Sequence, residues 1–169
     1  IRLALVYFSE KAKEQFKLDN QKTKDQLMID TEQFPDDEEL KTTNGGLPPN
    51  VTGGLRLIRR EILTEEAGDR PNADNLIIVI THYPPRTEDE YLIDEANRLK
   101  LLGNRIMVIW ADLHVYLSFG LRNRYIDMPS DPTFLNTFTL RETEQASIVV
   151  DDMISDACKR VDRPYRRPM

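Results

Sequence analysis

Asn75–Pro85 reads NLIIVITHYPP, and it decides the fold. Leu76, Ile77, Ile78, Val79 and Ile80 form an unbroken apolar run, rich in β-branched side chains and too short for a helix standing alone. A run apolar at every position suits a strand covered by helices on both faces. Pro84 and Pro85 end it, because neither can donate to a ladder. In an open parallel sheet ligands gather at the carboxyl ends of the strands, so Thr81 and His82 stand where a site is expected.

The pattern returns downstream. Ile106, Met107, Val108, Ile109 and Trp110 make a second strand, predicted to be buried on both faces and leading into Ala111, Asp112, Leu113 and His114. Between the two, Thr87 and Glu90 form a capping-box pair ahead of Leu92, Ala96, Leu99 and Leu102, and Gly103 supplies the helix stop. Upstream, Ile1–Phe8 is a further apolar strand, and Glu14–Leu18 reads as a short edge strand completing a hairpin with it. Residues 22–34 predict a modest helix closed by Pro35, and Asp36–Asn50, with its DDEE run, a long loop. From Val51 to about Glu66, Leu55, Ile58 and Ile62 recur at helical spacing, with Gly68 and Pro71 as stops.

The remainder predicts a short helix near 115–125, a loop with Pro129 and Pro132, a strand over Phe134–Leu140, and a helix over Glu142–Cys158. That last helix is expected to bury Ala146, Val149, Val150, Met153 and Ala157 on one stripe. Alternating strands and helices of this length specify an α/β fold. It is doubly wound and Rossmann-like, a mainly parallel sheet with one antiparallel edge strand and helices on both faces.

A chain of 169 residues, 40% hydrophobic and 31% charged, builds one domain. Its net charge of -6 argues against nucleic acid as a partner, since binding to a phosphate backbone needs a basic surface. No apolar run approaches the roughly 20 residues of a membrane-spanning helix, so membrane insertion is not expected. The tail 159–169 is basic and proline-containing, and reads as a flexible exit. Cys158 is the one cysteine and has no internal disulfide partner, which suits either a reducing compartment or a bond to another segment.

The order of these pieces resembles a von Willebrand factor type A domain. The resemblance rests on Val6-Tyr7-Phe8-Ser9, the Phe16-Lys17-Leu18 edge, Asn50-Val51-Thr52-Gly53 leading into Leu55, Val79-Ile80-Thr81-His82, and the closing helix with Ile154 to Cys158. It spans residues 1–158. The family's first strand, in the middle of its sheet and carrying Asp-x-Ser-x-Ser, has no counterpart in these residues, as though the chain were a fragment or that strand came from elsewhere. Extracellular members often pair a cysteine at the end of the last helix with one just before that strand, so the resemblance implies a disulfide from Cys158 to a segment outside these residues.

The family binds one magnesium ion through its serine loop, the first threonine of Thr-x-Thr-Gly and the aspartate of Thr-Asp-Gly. Magnesium is a hard ion that requires oxygen ligands. Here the threonine position is Asn50 and the aspartate position is His82. Imidazole is a poor magnesium ligand, so no cofactor is expected unless a further segment supplies Asp-x-Ser-x-Ser. Imidazole suits zinc or copper, and His82 with His114 or Asp112 is the alternative metal set. A pH response at His82 is a further option, its ordinary pKa being near neutrality.

Asn50-Val51-Thr52 is also a glycosylation sequon, although Asn50 is equally a helix cap. The DDEE run at Asp36–Glu39 reads as a solvated loop, with calcium or a basic partner as the alternative. No phosphate-binding glycine loop is present: Gly45-Gly46 and Gly53-Gly54 lack the context such loops need. Cys158 has no histidine near it in sequence to activate it. The resemblance therefore implies a non-enzymatic, secreted matrix or adhesion module with a degenerate metal site. Its contact face would be Asn50, Thr52, Thr81 and His82, and its partner a matrix protein such as collagen or another type A protein. The alternative is an intracellular scaffold module of a multi-subunit complex.

Overall fold

A computed structural model describes residues 1–32, 49–81, 91–111 and 127–140, together with 147, 150–152, 154 and 155. Five strands and three α-helices are described. β1 (Leu5–Phe8) and β2 (Ala12–Phe16) form an antiparallel pair, and β3 (Leu76–Thr81), β4 (Arg105–Ala111) and β5 (Thr137–Leu140) form a parallel sheet in that order. α1 spans Lys24–Glu32, α2 Val51–Leu57 and α3 Leu92–Leu101. The α/β class, the parallel sheet and the antiparallel pair are those expected.

Within this frame β3 behaves unlike its sequence. Ile77, Val79 and Thr81 are buried, whereas Leu76, Ile78 and Ile80 are 40%, 40% and 59% exposed. The double burial expected for β3 holds only for β4, where Ile106 to Ile109 are all buried. The difference lies in what covers each face: α2 and α3 pack with Ile77 and Val79, while Leu76, Ile78 and Ile80 belong to no core cluster of the described residues, among which β3 is also an edge of its sheet. β1 is likewise an edge strand. Both nonetheless meet one core, in which Val51 and Leu55 of α2 and Leu92, Ala96 and Leu99 of α3 pack on Ile77, Val79, Ile106 and Val108, with Phe8 of β1 against them. Met107 and Ile109, on the opposite face of β4, form a smaller cluster with Phe138 and Leu140.

Several boundaries move from their expected places. β2 starts at Ala12, two residues before the expected edge strand, because Ser9–Lys11 already close the turn through a Ser9 N to Lys11 O hydrogen bond of 2.9 Å. Only Phe16 is buried in this polar strand, so apolar alternation marks it poorly. α1 begins behind a capping box in which Thr23 N donates to Gln26 Oε1 (2.9 Å) and Gln26 N to Thr23 Oγ1 (3.3 Å). The single helix expected from Val51 to Glu66 is α2, a π-helical turn at Ile58–Ile62 and a 3-10 turn at Glu65–Ala67. Phe134 belongs to a 3-10 turn, Thr133–Leu135, that precedes β5. Helical backbone is found at the described residues 147, 150–152, 154 and 155, and Val150, expected on the buried stripe of that helix, is instead exposed; the other residues of the stripe lie outside the described residues. The Thr87/Glu90 box and the helix near 115–125 lie outside the described residues.

Candidate functional site

The carboxyl end of β1 and the start of α2 are tied together through Asn50. Its backbone N–H donates to Ser9 O at 2.6 Å, its side-chain Nδ2 donates to Glu10 O at 3.2 Å, and its Oδ1 accepts from Gly53 N at 2.8 Å. The last bond is the N-cap of α2, where an amide oxygen satisfies one of the first unpaired N–H groups. The Gly53-Gly54 pair permits this closeness. A Cβ on Gly53 would lie 2.7 to 2.9 Å from the Asn50 side chain, and one on Gly54 would stand 3.2 Å from the Phe8 ring.

Thr52, in the first turn of α2, is 4% exposed, and Thr81, at the end of β3, is 5% exposed. Thr81 follows Ile77 and Val79 on the same face of β3, the face on which Val51 and Leu55 of α2 pack. Asn50, Thr52 and Thr81 thus belong to the side of the sheet that α2 covers, with Asn50 half-buried at its rim. His82, His114, Asp112, Cys158 and Asp36–Glu39 lie outside the described residues. The cap reading of Asn50 is realised. As a sequon it would carry its sugar on Nδ2, the nitrogen that donates to Glu10 O. Among the described residues no three His, Cys, Asp or Glu side chains gather as a metal-binding set. No helix of the described residues is long and apolar enough to cross a membrane.

A second polar centre escaped the sequence reading. Glu95 of α3 is 2% exposed and accepts a hydrogen bond from Arg59 Nε of the π-helical turn. Arg56 Nε of α2 stands 3.7 Å from its Oε2 and Arg98 Nη1 stands 4.0 Å away. Burial works to raise the pKa of this carboxyl; the Arg59 hydrogen bond and the charges of Arg59, Arg56 and Arg98 outweigh it and hold the group below its ordinary value. The signal was present: Glu95 is the one charged residue on the stripe Leu92, Glu95, Ala96, Leu99. Tyr7 moves upward, through burial and then the charge of Asp30.

The model of the von Willebrand factor type A domain matches residues 1–153. Among solved structures, proximal thread matrix protein 1 from the mussel byssus superposes with a TM-score of 0.74 at 19% identity, over 93% of this chain and 37% of that one. A form of the same mussel protein, described as having a zinc-occupied MIDAS motif, gives 0.73 at 18% identity, over 93% and 36%. The manganese-loaded TRAP protein of Plasmodium vivax gives 0.61 at 18%, over 90% and 57%. At these identities the likeness is one of fold, and the chain spans little more than a third of the mussel protein. No curated protein matches the chain. The family match covers most of the sequence and the strand and helix order agrees with it: the chain belongs to the von Willebrand factor type A domain family.

Proposed function

We propose that the chain is a non-enzymatic protein-recognition module of a secreted matrix or adhesion protein, whose contact face is built from Asn50 and His82, backed by the buried Thr52 and Thr81, and does not depend on magnesium. The observation that carries this reading is the use made of Asn50. At the position where the family places a metal-binding threonine, its amide oxygen takes the Gly53 N–H and its amide nitrogen faces Glu10 O. A hydroxyl there would offer a hard cation an oxygen; this amide is turned to its own helix and to the β1–β2 turn. With histidine at the aspartate position as well, the donor set does not fit magnesium.

Recognition then proceeds by shape and hydrogen bonding, with a matrix protein such as collagen or another type A module as partner. The mussel protein with a zinc-occupied MIDAS motif and the manganese-loaded Plasmodium protein make metal dependence the point to test. Collagen binding measured by surface plasmon resonance should be the same in EDTA and in magnesium. A large loss on chelation would overturn the metal-free reading, and no binding to any matrix preparation would overturn the adhesion reading. Mass spectrometry of the native protein tests the secreted location, through a disulfide at Cys158.

A further inference from the structure

We draw no further inference here: the strongest candidate, the exposed apolar row Leu76, Ile78 and Ile80 on the edge strand β3, is an unpartnered sheet face for which nothing among the described residues shows what covers it, and a strand or helix placed there would only restate the fold of the family.

Discussion

Arg59 and Glu95 join the π-helical turn after α2 to the middle of α3, by a hydrogen bond between a guanidinium 21% exposed and a carboxylate 3% exposed. The pair is asymmetric, and the two ways of breaking it should differ. Arg59→Ala leaves a buried carboxylate with only the looser Arg56 and Arg98, and should cost roughly 3 kcal/mol. Glu95→Gln removes the buried charge, keeps an acceptor for Arg59 and lets the arginines hydrate, so its cost should be nearer about 1 kcal/mol. Urea denaturation of the two variants checks the order. The pH dependence follows from the lowered carboxyl. A group held below its unfolded pKa contributes stability that is fully present above the unfolded value and is lost as pH falls through the folded value. The native chain should therefore lose stability on acidification through and below the ordinary carboxylate range more steeply than Glu95→Gln.

The Asn50 cap leads to a coupled prediction. Asn50→Ala removes the acceptor for Gly53 N and the donor to Glu10 O, and should cost about 1 to 2 kcal/mol. Gly53→Ala in the native background places a Cβ within 2.9 Å of the Asn50 side chain and should displace the cap. In the Asn50→Ala background that obstacle is gone, and alanine is the better helix former by roughly 1 kcal/mol. The double-mutant cycle should show a coupling of at least about 1 kcal/mol, and additive costs would contradict the cap geometry.

What was legible in the sequence follows from the range of the forces involved. β4 is an apolar run buried on both faces, and α3 is an amphipathic stripe, because both patterns are written by neighbours in sequence. β3 carries the same kind of run as β4, and its one-sided burial depends on which distant elements pack on its faces. Asn50 is recognisable as a cap from its own residue type and the helix behind it. Its bond to Glu10 O joins residues forty positions apart and leaves no local trace. The break of the expected helix into α2 and a π-helical turn was invisible for a related reason. Ile58 and Ile62 keep helical spacing through the turn, and what the turn positions, Arg59 against Glu95, lies on another element.

Asn136 makes the same point about distance within the loop before β5. It is fully buried; its Oδ1 accepts from Arg105 Nε at 2.7 Å, and its Nδ2 donates to Ser130 O at 2.8 Å and Pro132 O at 3.1 Å. Every polar atom of the side chain is used. Asn136→Ala leaves two carbonyls and a guanidinium without that partner in the interior and should cost roughly 2 to 4 kcal/mol. Asn136→Asp retains the acceptor for Arg105, even strengthens it, and turns a carboxylate oxygen toward two carbonyls. It should therefore destabilise as well, and by more at high pH than at low pH, where the protonated acid can donate. Thermal melts across the carboxylate range distinguish this from a simple loss of volume.

The exposed side of β3 separates folding stability from solubility. Ile77 and Ile80 are three positions apart in one strand, on opposite faces, at 6% and 59% exposure. Ile77→Ala opens a cavity between β3 and the helices and should cost roughly 2 to 4 kcal/mol. Ile80→Thr keeps a β-branched side chain at an exposed position and should change stability by no more than about 0.5 kcal/mol. It also interrupts the row Leu76, Ile78, Ile80 along an edge strand, the arrangement through which sheets of separate molecules pair. Ile80→Thr should therefore raise the concentration at which light scattering first detects aggregates, with the denaturation midpoint unmoved. If the midpoint instead falls as far as it does for Ile77→Ala, Ile80 is packed in solution and the one-sided burial of β3 is wrong.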